Sequence, residues 1–162
     1  MSPGTYLRKR REAAGVSLDL AAVALVPWAQ AKKVFEPAAV RSVINNDLVA
    51  QVVHVSAWIA ELERDMRVVD GAVTARLACI IPLDVEIYDR LVAHKHGVAV
   101  PLPQICRECG CSWHHPCVQR VESGIPGCFA EYGCAWAGAD PNLCTACERK
   151  AATPQQETAD AS

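Results

Sequence analysis

Cys106-Arg-Glu-Cys109 and Cys144-Thr-Ala-Cys147 bracket the last third of the chain, and eight of its nine cysteines lie between the first and last of these four. Each C-x₂-C turn presents two thiolates from one tight loop. Two such turns close a tetrahedral shell around Zn²⁺, with Zn–S distances of about 2.3 Å. The segment is therefore expected to be a small metal-stapled module. The rest of the sequence is read outward from it.

A disulfide framework is the competing reading of the same cysteines. Met1-Ser-Pro-Gly-Thr5 leads directly into Leu7-Arg-Lys-Arg-Arg11 with no apolar leader segment. The expectation is a chain kept in the reducing cytoplasm, where clustered cysteines are more often metal ligands than bridges. A redox dithiol of the thioredoxin kind wants a single C-x-x-C after a strand in a βαβ unit, and neither pair has that setting. Cys79 stands apart in the apolar run Leu77-Ala-Cys-Ile-Ile81 and reads as a buried small hydrophobe.

Cys106, Cys109, Cys144 and Cys147 form the natural set of four sulfur ligands. Cys111, Cys117, Cys128 and Cys134 are additional ligands for a second site, or pack without binding. Cys109-Gly-Cys111 is too close for one simple chelate loop, so these two sulfurs bridge or serve different metals. His114 and His115 are alternative nitrogen ligands, although adjacent loop histidines are more often solvated. One Zn²⁺ is expected, and the cysteine count leaves room for two.

The 162 residues allow one ordinary domain or two small ones. Residues 1–100 are rich in Ala, Val and Leu and can bury a core. From Pro101 onward Cys, Gly and Pro dominate, and such a segment needs metal for its stability. The boundary falls at Pro101-Leu-Pro103, the module spans 101–150, and the polar tail at 151–162 is expected to be disordered. No stretch reaches an uninterrupted membrane-spanning length. The net charge is −2, and residues 101–162 carry four basic and seven acidic side chains. Any phosphate contact should thus come from the N-terminal part, where Arg8, Lys9, Arg10 and Arg11 form a basic knot and Lys32 and Lys33 a second.

Periodicity and caps predict an all-helical first domain. Helix is expected over Thr5–Ala14, closed by Gly15, then over Leu18–Val26, capped by Ser17 and ended by Pro27. A third stretch from Pro37 to about Val53 repeats Val40, Val43, Ile44, Leu48 and Val52 at helical steps. Ser56 is expected to cap Ala57–Met66, with Trp58, Ile59 and Leu62 inward. Ala72–Ile81 and Asp84–His94 complete the set, using Val73, Leu77 and Ile80, then Val85, Tyr88 and Leu91. Val98–Leu102 is the one candidate strand. The fold class is mainly α, with five to six helices and a loop-rich appendage.

Leu7-Arg-Lys-Arg-Arg-Glu-Ala-Ala-Gly-Val-Ser-Leu-Asp-Leu-Ala21 resembles the opening of the Cro/lambda-repressor-like helix-turn-helix family, with Leu20 and Ala21 at its Leu-Ala pair. Val55-Ser-Ala-Trp-Ile-Ala-Glu-Leu-Glu-Arg-Asp65 is similar to that family's third helix. Ile59 and Leu62 match buried positions, Glu63-Arg64 matches the charged pair, and Asp65 stands where the family has glycine. Leu77, Ala78, Leu83 and Leu91 fall where its last two helices pack. Within the family the chain is most similar to an alphaproteobacterial and phage-type variant with a Cys-rich tail, matched by Cys106–Cys111, Cys134-Ala-Trp136 and Asn142–Cys147. The family separates its second and third helices by a few residues, whereas about thirty lie between Val26 and Val55. That insertion, at about 27–54, is either looped out or displaces the recognition helix.

The resemblance implies a transcriptional regulator that binds double-stranded DNA, acting as a homodimer. Arg8, Lys9 and Arg11 would anchor phosphates, with Ser56, Ala57, Ala60, Glu61 and Arg64 in the major groove. Those groove residues include few of the side chains that read bases bidentately. The alternative is a zinc-binding adaptor whose helical domain no longer reads DNA. Its protein partner would meet Trp113, Phe129, Tyr132 and Trp136, unless these aromatics are the core of the module. An enzyme is not expected: an all-thiolate shell has no open position, and His-Glu-x-x-His, deaminase, P-loop and dinucleotide motifs are absent from the sequence.

Overall fold

A computed structural model describes residues 1–32, 48–69, 71–122 and 129–152. The chain forms two compact units, Met1–Pro103 and Gln104–Ser162. Among the described residues the first holds five helices: α1 (Pro3–Ala13), α2 (Leu18–Lys32), α3 (Leu48–Glu63), α4 (Gly71–Ala78) and α5 (Val85–Lys95). The second holds strands β1 (Val118–Glu122) and β2 (Phe129–Gly133), then α6 (Thr145–Ala152). No described helix is long and apolar enough to cross a membrane.

α1 begins where the Ser2 hydroxyl accepts the Thr5 N–H at 3.2 Å, with Pro3 in the first turn. It ends as Gly15 takes φ 67° and the Val16 N–H reaches back to the Arg11 carbonyl at 3.1 Å. Ser17 caps α2, its hydroxyl accepting the Leu20 N–H at 3.1 Å. Pro27 does not end α2, which runs on to Lys32. An interior proline forfeits one hydrogen bond and costs about 3 kcal/mol. Burial of Ala21, Ala22, Leu25 and Val26, and the extensive packing of α2 on α3, oppose that cost.

α3 corrects the expected break at Ser56. It is continuous from Leu48, burying Gln51, Val55, Ile59, Leu62 and Glu63 along one face. Ser56 lies in mid-helix, and its hydroxyl donates to the Asp19 carboxylate at 2.7 Å instead of capping a new helix. The helix expected from Pro37 overlaps α3 only from Leu48; residues 33–47, Lys33 included, lie outside the described residues.

α4 stops at Ala78, three residues short of its expected end, because Pro82 disfavours helical backbone at Ile81. The chain turns there, with the Ile80 N–H on the Leu77 carbonyl at 2.9 Å. Leu77 and Ile81 are buried while Cys79 is exposed, so Cys79 is not the core residue its apolar neighbours suggest. Asp84 caps α5 by accepting the Ile87 N–H at 3.2 Å, and Ile87 is buried where Val85 was expected. Val98–Leu102 forms no strand. Gly97 takes φ 77°, and the Val98 N–H closes α5 on the Ala93 carbonyl at 2.9 Å.

The end of α3 is locked onto the start of α1. Arg11 Nε and Nη2 donate to the Glu63 carboxylate at 2.6 and 2.9 Å, and the two side chains are only 11% and 5% exposed. Asp65 is the sole described non-glycine residue with positive φ, at 60°. Its carboxylate accepts the Gly4 N–H at 2.9 Å and the Ser2 hydroxyl, and Lys95 Nζ donates to its carbonyl at 3.0 Å. A Cβ on Gly4 would come within 2.3 Å of the Leu62 carbonyl oxygen, so only glycine lets the two helices approach this closely.

The second unit is not purely loops. β1 and β2 pair antiparallel from Val118↔Gly133 to Glu122↔Phe129, and α6 follows the last hook. Five-residue strands are too short for their alternation to stand out in the sequence. Of the tail expected to be disordered, Ala151 and Ala152 belong to α6, while 153–162 lie outside the described residues.

Candidate metal centre

The first hook is shaped by its glycine. Gly110 takes φ 72° and its N–H bonds the Cys106 carbonyl at 2.9 Å, while the Cys106 N–H bonds the Cys111 carbonyl at 2.9 Å. The backbone thus folds back after two residues and turns Cys106, Cys109 and Cys111 toward one region. The second hook straddles the start of α6. Cys144 precedes the helix, its carbonyl accepting the Glu148 N–H at 2.9 Å, and Cys147 lies in the first turn, where the helix dipole favours a thiolate.

Backbone bonds register the two hooks. The Arg107 N–H bonds the Asn142 carbonyl at 2.8 Å, the Thr145 N–H bonds the Ala135 carbonyl at 2.8 Å, and Trp136 pairs with Cys144 as an isolated bridge. The Cys144 N–H points at Cys106 Sγ at 3.4 Å. Arg107 adds an ion pair to Asp140 at 2.7 Å. At the base of the hairpin the Cys134 N–H meets the Cys117 carbonyl at 2.9 Å, and the Cys117 N–H meets Cys134 Sγ at 3.2 Å.

Two groups of four sulfurs result, Cys106, Cys109, Cys144 and Cys147, and Cys109, Cys111, Cys117 and Cys144. Within each group all sulfurs lie within 4.8 Å of one another. Individual separations are 3.2 Å for Cys109–Cys117, 3.8 Å for Cys109–Cys144 and 3.5 Å for Cys111–Cys134. A tetrahedral shell with metal–sulfur bonds of about 2.3 Å has S···S edges of about 3.8 Å. The clustered cysteines can hold a metal ion. Every described cysteine is a free thiol.

Electrostatics make the same point. Hydrogen bonds from Cys111 and then Cys117 pull Cys109 far below the ordinary thiol range, and the bond to Cys109 drives Cys111 far above it. Its bond to Cys109 pushes Cys117 up to about 12, while burial raises Cys106 and Cys147. Thiols this crowded share few negative charges among themselves. A divalent cation at the centre would let a whole group become thiolate.

Cys111 and Cys117, expected only as additional ligands, join a group with two members of the outer set. Cys134 lies beside Cys111 but in neither group, and Cys128 is outside the described residues. His114 is exposed and His115 half-buried, and neither belongs to a group; Nδ1 of His115 is buried without a hydrogen-bond partner. Trp136 packs against the cysteines while Trp113 and Tyr132 are exposed, so the aromatics supply only part of the core. The side chain of Phe129 is outside the described residues.

The residues expected at DNA are distributed differently. Arg8 is exposed and Lys9 half-buried. Arg10 is buried with Nε on the Pro82 carbonyl at 2.7 Å, and Arg11 is committed to Glu63. On α3, Ala57 and Arg64 are exposed, Ala60 is half-buried, Ser56 is bonded to Asp19, and Glu61 pairs with Arg67 at 2.5 Å. Glu63 is a structural partner of Arg11 that the motifs do not mark. Its place four residues after Ile59, on the buried face, was the available signal. Comparison with family models, curated proteins and solved structures finds no match to this chain.

Proposed function

We propose that this chain is a non-enzymatic, DNA-binding transcriptional regulator of the repressor-like helix-turn-helix kind, with a C-terminal module built around Zn²⁺. The observation that carries the proposal is the exit from α3. Asp65 adopts left-handed backbone where the resembled family has glycine, one residue after the Glu63-Arg64 pair. Burial of Ile59, Leu62, Leu77, Leu83 and Leu91 at positions the resemblance assigns to packing adds support. In this reading Arg8 and Arg64 contact phosphate, while Arg11 maintains the fold through Glu63. Ala57, Ala60 and Glu61 face the groove from the middle of a long helix rather than from its first turn.

The second reading is a zinc-bound protein-interaction adaptor. Its support is the exposure of Trp113 and Tyr132 on the cysteine module, since large aromatics are common anchors of protein interfaces. Selection from random duplex DNA by the metal-replete protein, at two salt concentrations, separates the two. A regulator enriches one motif, and Arg8→Ala with Arg64→Ala flattens the salt dependence of its binding. No retention even at low salt rejects DNA binding and leaves the adaptor.

A further inference from the structure

The two sulfur groups overlap, and the overlap has a definite chemistry. Cys109 and Cys144 belong to both; Cys106 and Cys147 complete one, Cys111 and Cys117 the other. Two four-coordinate shells that share two ligands need six sulfurs, and the two groups together contain six. We infer that the module binds two thiophilic divalent ions as one cluster, with Cys109 and Cys144 as bridging thiolates and the other four as terminal ligands.

One separation matches a shared edge. Cys109 and Cys144 are 3.8 Å apart, the edge expected of a tetrahedron with metal–sulfur bonds of about 2.3 Å. The local sequence supplies the remainder. Cys109-Gly-Cys111 brings a bridging sulfur and a terminal ligand to the same second ion from almost adjacent positions. Gly110, at φ 72°, provides the reversal between them. Charge favours the shared arrangement too. Six thiolates on two divalent ions leave a net charge of −2, half that of two separate four-thiolate shells. Loading releases one proton to solvent from each thiol that becomes a thiolate, and no oxidant or reductant takes part. Cys134, beside Cys111 at 3.5 Å but in neither group, supports the hairpin base without being a required ligand.

The inference is independent of DNA binding and is tested on the full chain under reducing conditions. Native mass spectrometry of the Zn²⁺-loaded protein should show two ions per chain. After loading with ¹¹³Cd²⁺, NMR should show two resonances, each split by the other through the shared sulfurs. Cys117→Ser should retain one ion, Cys109→Ser should lose both, and Cys134→Ser should keep two. One ion per wild-type chain would overturn the cluster. Two ions with unsplit cadmium resonances would also overturn it, in favour of separate shells. Loss of an ion from Cys134→Ser would show a different ligand set. The wild-type stoichiometry and splitting decide the question even if a variant fails to fold.

Discussion

The helical unit closes over Tyr6, Leu7, Leu25, Ile59, Leu62, Leu77 and Tyr88, whereas the cysteine module closes over Cys106, Cys111, Cys144 and Ala146. In the first, large apolar side chains leave water, each worth about 1.5–3 kcal/mol when fully buried. In the second, the innermost side chains are thiols, which carry little apolar area and crowd one another's charge. One region therefore owes its fold to the hydrophobic effect, and the other, on the proposed reading, to metal–sulfur bonds. Small loop-rich segments reach stability in this second way when they have too few aliphatic residues for a core.

The largest effect should come from removing a sulfur. Cys106→Ser or Cys147→Ser should cost the module the ion these residues hold and destabilise it while leaving the helices of residues 1–95 intact, as read by metal content and far-ultraviolet circular dichroism. Full metal retention in both variants would take these residues off the ligand list. The converse test is Arg11→Met. It leaves the Glu63 carboxylate buried without its partner and should destabilise the helical unit by about 3–5 kcal/mol in urea unfolding, with metal stoichiometry unchanged. A loss below about 1 kcal/mol would mean that Glu63 finds other partners or water.

Gly4→Ala sharpens the same contrast. The added methyl meets backbone of α3 rather than flexible side chain, so a loss of about 1–3 kcal/mol confined to the helical unit is expected. Unchanged stability would mean that α1 shifts freely on α3. Alkaline pH gives a smaller, graded effect. Burial, reinforced by Asp65 and Asp89, pushes the Tyr88 hydroxyl up to about 12. An unfolded tyrosine ionises near pH 10, so from about pH 10 to 12 the native state keeps a proton that the unfolded chain has lost. Stability should fall as pH rises across that window, by about 1.4 kcal/mol per pH unit, and Tyr88→Phe should remove this dependence.

The sequence displayed the parts of the fold that depend on local chemistry. Ser17 as a cap, Gly15 and its left-handed turn, and the spaced hooks of the module were all legible, because each depends on residues within one turn of chain. What was hidden depends on distant packing. Pro27 reads as a stop until α2 is seen lying along α3, and Ser56 reads as a cap until its hydroxyl is found on Asp19. Arg11 looks like a surface cation beside Arg8 because Glu63 lies 52 residues away. In the metal centre, spacing shows which cysteines are paired but not which are shared. Sharing is set by the approach of Cys109 to Cys144, 35 residues apart.

The most direct test of the contrast between the two regions is a pair of ¹H–¹⁵N correlation spectra of the full chain, with Zn²⁺ bound and after chelation under reducing conditions. On chelation the amides of residues 104–152 should collapse to unfolded shifts, while those of the helical unit stay dispersed. Dispersed module amides after complete metal removal would contradict a metal-built fold. Collapse of both regions together would contradict a helical unit that stands on its own core.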